Sequence, residues 1–269
     1  MAFDLIIVGG GRMGGALAKG LLAAGWCTPD RLAIIESAVQ TRDELTSELP
    51  GVTVLASLEL EHVDPQGTSA ILAVKPDQAE GAARLIGAVG IRRVLSVVAG
   101  LSTKRIEATL PSGAAVIRSM PNTPVLVGKG VSAISGGDFA TKDDLDWATS
   151  VLGAVGIVVR VSEKHMDTVT GLSGPMPAYL YMVVEALVEA GVHQGLTREV
   201  SRQLVIGTFE GSAALLAASD ATPEELRSQV TSPGGTTAAG LRMLEARAVR
   251  AAFLEAVAAA SERSRQLGR

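Results

Sequence analysis

Short, continuously apolar runs alternate with helix-period stretches through the first 160 positions, and this alternation restricts the fold more than any other feature of the chain. The runs are Leu5 to Val8, Leu32 to Ile35, Val52 to Leu55, Ala70 to Val74, Val94 to Val98 and Ala115 to Ile117. Unbroken hydrophobicity over so few residues marks strands of a parallel sheet covered on both faces. Val131 to Ile134 and Ile157 to Val161 look like two further strands that extend the sheet. A helix from about Asp143 to Val155, with Leu145, Ala148 and Leu152 on one face, joins them. After Val161 the strand pattern stops. From Pro177 onward the chain reads as long Ala-, Leu-, Val- and Glu-rich helices, broken at Gly191, Gly195 and Ser232-Pro233-Gly234-Gly235. The expectation is an α/β domain over residues 1–161 and a second, all-helical C-terminal domain over 162–269. With 30 glycines and only 3% aromatic residues, close backbone packing replaces bulky anchors.

Gly9-Gly10-Gly11-Arg12-Met13-Gly14 follows the first strand directly and opens the first helix. In G-x-G-x-x-G the first glycine permits the sharp turn and the second lets a pyrophosphate approach the backbone. The third lets helix and strand pack closely, with the phosphates at the positive helix N-terminus. The first domain is therefore read as a Rossmann-type dinucleotide-binding domain. A purely structural glycine-rich turn is the alternative, opposed by the strand before, the helix after and a correctly placed acid. Met13, Leu17 and Leu21 form the buried stripe of that helix. The acid is Glu36, 22 residues beyond Gly14, where a carboxylate accepts hydrogen bonds from ribose hydroxyls and repels a 2′-phosphate. Ser37 follows and the nearest cation is Arg42, so the local pattern leans toward NADH over NADPH. Arg12 could turn toward a phosphate, and Glu36 could be a solvated strand-end residue, so both cofactors stay open.

A second segment, Val230-Thr231-Ser232-Pro233-Gly234-Gly235-Thr236-Thr237-Ala238-Ala239-Gly240-Leu241, starts a helix. Ser and Thr stand at capping positions and two glycines expose backbone N–H groups, which makes a small anion site suited to a carboxylate or an ordinary capped helix start. This segment, Ala73-Val74-Lys75-Pro76, Val97-Val98-Ala99-Gly100 and Met120-Pro121-Asn122-Thr123-Pro124 together resemble the pyrroline-5-carboxylate reductases, the enzymes that complete proline synthesis. The resemblance runs in order over nearly the whole chain.

The resemblance implies NAD(P)H-dependent reduction of 1-pyrroline-5-carboxylate, a cyclic imino acid, to proline by hydride transfer to the imine. It also implies that Ser232, Gly235 and Thr236, with Gly234 in the same turn, hold the substrate carboxylate. Thr237, the catalytic candidate, would hydrogen-bond the ring nitrogen. Ala73, Val74, Lys75, Pro76, Ala99 and Gly100 would join Gly9, Gly11, Arg12, Met13, Gly14, Glu36 and Ser37 at the cofactor site, although Lys75 reads equally well as structural. An iminium is already electrophilic, so strong general acid catalysis is not required and positioning supplies most of the rate. His62, His165 and His193 are scattered without Cys or carboxylate partners and read as surface or loop residues; no metal site is expected. Family members pair through the helical region. The helix from Pro177 to Ala190, with Tyr181, Val184 and Val188, carries more apolar surface than a solvated helix needs, so a homodimer or higher homo-oligomer is expected.

Two departures from the family pattern bear on function. Ser173-Gly174-Pro175-Met176-Pro177-Ala178-Tyr179 stands where the family usually reads Ser-Gly-Ser-Gly-Pro-Ala-Tyr, and Leu58 replaces an Asn usual after the third strand. Pro175 and Met176 motivate a second reading, reduction of a different cyclic imino acid in a specialised pathway. A non-catalytic cofactor-binding regulator is a third, opposed by the intact Ser232 and Thr237. The β-hydroxyacid dehydrogenases share the architecture, but their catalytic Lys in a glycine-rich helix start has no counterpart here.

Charge and cysteine usage exclude other classes. Lys and Arg total 24 against 28 Asp and Glu, a net charge of −4 with no polybasic run, so no nucleic-acid partner is expected. The single Cys27 cannot form an intramolecular disulfide, and no basic n-region precedes the first strand, so a cytoplasmic setting is expected. Thr168 to Val184, the longest uncharged stretch, is interrupted by Gly171, Gly174, Pro175 and Pro177 and predicts no membrane segment.

Overall fold

The computed structural model describes residues 3–59, 63–64 and 67–268. Among these, eight strands form one sheet: β1 (Leu5–Val8), β2 (Leu32–Ile35), β3 (Thr53–Leu55), β4 (Ser69–Leu72), β5 (Arg93–Ser96), β6 (Ala115–Met120), β7 (Gly130–Gly136) and β8 (Gly156–Arg160). Their order is β3-β2-β1-β4-β5-β6-β7-β8. The first six are parallel, with Leu5 aligned to both Leu32 and Ser69. β7 runs antiparallel to β6, and β8 is parallel to β7. The last two strands thus extend the sheet in the reverse direction. A parallel neighbour needs a crossover of about a dozen residues or more. The link over 121–129 holds only the short 3₁₀ turn Thr123–Val127, whereas a full helix carries the chain from β7 back to β8.

Helices α1 (Arg12–Ala23), α2 (Val39–Glu48), α3 (Ala79–Ala88), α4 (Thr103–Glu107), α5 (Lys142–Gly153) and α6 (Met166–Leu172) accompany the sheet. Strand side chains alternate between its two faces. Ile6, Val8, Ala33, Ile35 and Leu72 pack with α3 residues such as Ala83 and Ile86 in one core cluster. Leu5, Ile7, Leu32, Ile34 and Ile71 pack on the other face with Leu17 and Leu21 of α1 and Leu152 of α5. Every strand residue from Leu5 to Val8 is buried, which is why these runs carry no polar alternation.

Helices α7 (Met176–His193), α8 (Arg198–Ala218), α9 (Pro223–Gln229), α10 (Thr236–Ala246) and α11 (Val249–Leu267) follow. Pro177 is tolerated at the start of α7 because first-turn amides have no intrahelical acceptor. Compactness divides the chain into Met1–Pro175 with Ala258–Arg269, and Met176–Val257. The division at 161/162 marks the end of the strands, since β8 stops at Arg160. Packing places α6 and the C-terminal residues with the sheet. Buried Arg118 on β6 pairs with Glu163 and Asp167, and Asp167 also accepts a hydrogen bond from Ser264 Oγ at 2.7 Å.

Candidate active site

At the end of β1 the backbone must reverse into α1 within a few residues. Gly9 does so at φ +106°, and a Cβ there would lie 2.6 Å from the Ala73 carbonyl oxygen. A Cβ on Gly14 would overlap the Gly9 carbonyl oxygen. Gly11 is different: nothing lies within 4 Å of the place its Cβ would take. It is the N-cap of α1, which has no side-chain cap and no acid in its first turn. The first-turn amides are left open toward an anion.

Glu36, at the end of β2, is tied into this loop. Its Oε2 accepts from Gly10 N at 2.8 Å and its Oε1 from Ala38 N at 2.9 Å. Arg42 donates through Nη1 to the carbonyls of Glu36 (2.9 Å) and Ser37 (2.7 Å) and so braces the backbone of the turn.

A cleft of about 640 Å³ opens at the carboxyl ends of β1, β2 and β4, where the strand order reverses and doubly wound sheets bind their ligands. Gly11, Glu36, Ser37, Ala73, Val74 and Lys75 line it, and Leu58, Ala82 and Leu85 supply apolar wall. An open glycine beside a helix N-terminus, a fixed carboxylate and an apolar wall fit the pyrophosphate, ribose and base of a dinucleotide. Arg12 and half-buried Met13 line an adjoining cleft of about 650 Å³ with Lys19, Thr123 and Val125, Gly11 and Thr41 being common to both. Pro76 starts the 3₁₀ turn Pro76–Gln78, whose Gln78 N–H reaches back to the Lys75 carbonyl at 3.0 Å. Ala99 is half-buried, and Gly100 packs at φ +75° against Leu267 and Gly268 without lining either cleft. Sequence reasoning missed Thr41, Ser57, Gln78 and Leu85 in the cleft wall. The helical spacing of Gln78, Ala82 and Leu85, running on from the Lys75-Pro76 turn, is the signal that could have found two of them.

In the second unit, the Ser232–Gly235 turn closes with Gly235 N donating to the Ser232 carbonyl at 3.1 Å, and Gly234 sits at φ +71°. The capping expectation is corrected here. The N-cap of α10 is Gly235, and no side chain caps the helix, because Ser232 lies beyond the turn and Thr236 and Thr237 are already helical. The hydroxyls of Ser232, Thr236 and Thr237 are exposed and have no hydrogen-bond partner among the described residues. A shallow pocket of about 290 Å³ lies beside them, lined by Gly234, Gly235, Ala238, Ala239 and Arg242. Arg242 escaped sequence reasoning, although it stands one helical turn beyond Ala238 and Ala239. Backbone donors, free hydroxyls and a cation together suit a carboxylate.

Asn122 joins two family-like segments of the first unit. Its Nδ2 donates to the Ser173 carbonyl at 3.4 Å and its Oδ1 accepts from Val131 N at 2.8 Å. A Cβ on Gly174 would lie 2.7 Å from Met120 Cε, so the loop that ends in Pro175 packs on Met120. His165 and His193 are exposed, and His165 Nδ1 lies 3.0 Å from Ser162 Oγ; His62 lies outside the described residues. Among the described residues no cluster of three or more His, Cys, Asp or Glu could hold a metal ion, and no helix is long and apolar enough to cross a membrane.

Comparison with known proteins covers the whole chain. Residues 163–267 match the family model described as pyrroline-5-carboxylate reductase dimerisation, and residues 4–100 match the model described as NADP oxidoreductase, coenzyme F420-dependent. The pyrroline-5-carboxylate reductase of Synechocystis sp. is 38% identical over 270 residues, covering 100% of both chains. That of Corynebacterium melassecola is 36% identical and covers 98% of each. The crystal structure of Plasmodium falciparum pyrroline carboxylate reductase with NADP bound matches with a TM-score of 0.87 at 31% identity, over 99% of this chain and 98% of that one.

Proposed function

This chain belongs to the pyrroline-5-carboxylate reductase family, and from that premise we propose how its residues divide the reduction of 1-pyrroline-5-carboxylate to proline. NAD(P)H supplies the hydride when bound. In the first unit, Gly11 and the open first-turn amides of α1 receive the pyrophosphate. Ala73, Val74 and Lys75 border the cofactor on the β4 side of the cleft. Glu36 takes the ribose hydroxyls. Its two backbone hydrogen bonds fix the carboxylate in place, and Arg42 is committed to carbonyl oxygens, so a 2′-phosphate would meet an unrelieved negative charge. NADH is the preferred cofactor on this reading.

In the second unit, the uncapped start of α10 with its free hydroxyls is the observation that carries the assignment. Ser232, Gly234, Gly235 and Thr236 bind the substrate carboxylate, and the Thr237 hydroxyl hydrogen-bonds the ring nitrogen. The nitrogen is basic enough to be protonated from solvent, so the hydroxyl orients the ring and stabilises charge without acting as a strong acid. Holding the imine in register removes the entropy of encounter and leaves little further work for the protein.

The second unit exposes Tyr181 at 60% and Leu254 at 73% of their surface in the single chain. A second copy covering these faces makes the protein a homodimer, in keeping with the dimerisation model that spans the region. The single, unpaired Cys27 suits a reducing, cytoplasmic setting.

Oxidation of NADH or NADPH in the presence of pyrroline-5-carboxylate tests the activity directly, and Thr237→Val tests the site. Valine keeps the branched shape and loses only the hydroxyl. A hydrogen bond to a charged group is worth roughly 1.5–3 kcal/mol, which implies about a ten- to hundredfold fall in kcat/KM for the imine. The Kd for NADH should stay at its wild-type value. Normal turnover with a lowered Tm would instead make Thr237 a packing residue.

A further inference from the structure

The C-terminal end of α11 lies against the turn that follows β5. Gly100 holds that turn at φ +75°, and a Cβ there would come within 3.0 Å of Leu267 Cβ and 3.4 Å of Gly268 N. A Cβ on Gly268 would in turn lie 2.5 Å from the Gly100 carbonyl oxygen. Two glycines facing each other at this range leave no room for a side chain on either. One guanidinium spans the same place. Arg105 on α4 donates through Nη1 to the Gly268 carbonyl at 3.1 Å, and through Nε and Nη2 to Glu80 Oε1 at 3.1 and 2.7 Å.

Glu80 is on α3, whose next residues Gly81 and Ala82, and Leu85 one turn on, line the dinucleotide cleft. The C-terminal segment is itself pinned at depth. Ser264, 3% exposed, donates to Asp167, which pairs with buried Arg118; Arg118 also holds Glu163, whose Oε1 accepts from Thr103 N at 3.3 Å at the start of α4. The turn between β5 and α4 is thus held at Gly100 by the C-terminal segment and at Thr103 by Glu163.

We propose that Arg105 is a positioning residue for the cofactor cleft, linking the α3 wall through Glu80 to the Val97–Gly100 turn through Gly268. The proposal rests on the reading of that cleft as the cofactor site. Arg105 and Glu80 are both part-exposed, and surface pairs of this kind contribute little to folding. The bond pattern, one guanidinium on two elements that are far apart in sequence, sets geometry, and the cost of losing it falls on the ligand that the geometry holds.

The test uses the full-length protein with Arg105→Gln, Arg105→Lys and Gly268→Val, and Gly11→Val as a reference. NADH Kd is measured by fluorescence titration without substrate, KM for each substrate by steady-state kinetics, and Tm by thermal melting. Arg105→Gln and Gly268→Val should raise the Kd and KM for NADH about three- to tenfold, the range expected when coupling through a positioning contact is lost. KM for pyrroline-5-carboxylate should stay within about twofold, a split that general destabilisation does not produce. Lysine at 105 should recover part of the loss by keeping one charged donor. Unchanged NADH binding in both variants, with binding lost in Gly11→Val, overturns the role of Arg105 and leaves the cleft assignment standing. Wild-type NADH binding in Gly11→Val overturns the cleft assignment itself. Lowered Tm with both KM values unchanged reduces the contact to packing and overturns the proposal.

Discussion

Substituting the second and third glycines of the G-x-G-x-x-G loop, Gly11 and Gly14, one at a time should separate cofactor binding from stability. At Gly11, φ −64° and ψ −166° are open to any residue, and no atom lies within 4 Å of a new Cβ. Two small effects on folding then oppose each other. Alanine restricts the unfolded chain, which stabilises by about 0.4–1 kcal/mol, and it is a poorer N-cap than glycine by a comparable amount. Net stability should stay within about 0.5 kcal/mol, or about 2 °C in Tm. The methyl group, however, fills the space through which, on the proposed assignment, a pyrophosphate reaches the backbone. Losing one hydrogen bond to a charged group costs about 1.5–3 kcal/mol, so the Kd for NADH should rise at least tenfold.

Gly14→Ala makes the contrast. Its Cβ would overlap the Gly9 carbonyl oxygen and lie 3.2 Å from Ile7 Cγ2, a buried core side chain. Overpacking of this kind costs roughly 1–3 kcal/mol, which lowers Tm by several degrees in a domain of this size, on the order of 5 °C. NADH binding should fall as well, because α1 can relieve the overlap only by moving its N-terminus. Fluorescence titration and thermal melting on the same preparations give both quantities. Wild-type affinity in Gly11→Ala would show that the open face of Gly11 is not where the cofactor approaches. An unchanged Tm in Gly14→Ala would show that the helix is not packed as tightly as these distances require.

Steady-state kinetics should give a higher kcat/KM with NADH than with NADPH, and Glu36→Gln should narrow the ratio; equal efficiency in the wild type would mean that a cation such as Arg12 outweighs Glu36. Light scattering after gel filtration should give a homodimer or a multiple of it at micromolar concentration, and a monomer would remove the dimerisation role of α7 to α11. Asp144 on α5 should contribute to acid stability. Burial pushes its carboxyl upward, but the hydroxyl and amide of Thr141 and the Arg93 guanidinium outweigh that and hold it below the ordinary carboxylate range. A depressed folded pKa gives stability that is present in full above the unfolded value and is lost as pH falls below about 4. Asp144→Asn should therefore lower Tm at neutral pH and flatten its decline in acid, whereas a Tm profile parallel to wild type would dismiss the reciprocal Thr141–Asp144 hydrogen bonds that cap the start of α5 as a stabilising feature.

The strands were legible because burial on both faces leaves its mark on every residue of a run. Ile6 and Ile7 face opposite core clusters, and neither position tolerates a polar side chain. The direction of β7 was not legible in its composition, because direction follows from the length of the link over 121–129 and not from the strand itself. The packing boundary at 175/176 escaped for a different reason. Arg118, Asp167 and Ser264, which tie α6 and the C-terminal residues to the sheet, are polar residues far apart in sequence, each unremarkable until the fold brings them together. The α1 loop was readable as a motif, yet spacing alone gives its glycines equal weight, and only the coordinates separate the crowded Gly14 from the open Gly11. At α10, Ser and Thr near a helix start suggested capping. The backbone placed the N-cap at Gly235 and left the hydroxyls free.

Those free hydroxyls also fit the placement of the shifted ionisable groups, which lie away from both candidate sites. Perturbed pKa values often mark catalytic acids and bases. Among the described residues the shifted groups are Asp144 and Asp146 with Lys142 on α5, Glu189 with Arg198, Arg31 beside Asp4, and half-buried Cys27. None lines the cofactor cleft or the α10 turn. An imine that solvent can protonate needs no tuned acid, so such a reaction places its demands on donors held at fixed points and on space kept empty. On the proposed assignment, backbone amides at two helix starts, uncapped by any side chain, supply the donors, and Gly11 supplies the space. Neither changes charge between pH 5 and 9. The pH dependence of kcat/KM should therefore follow the protonation of the imine substrate, and a steep limb that persists after correction for substrate ionisation would point to an enzyme group outside the residues assigned here.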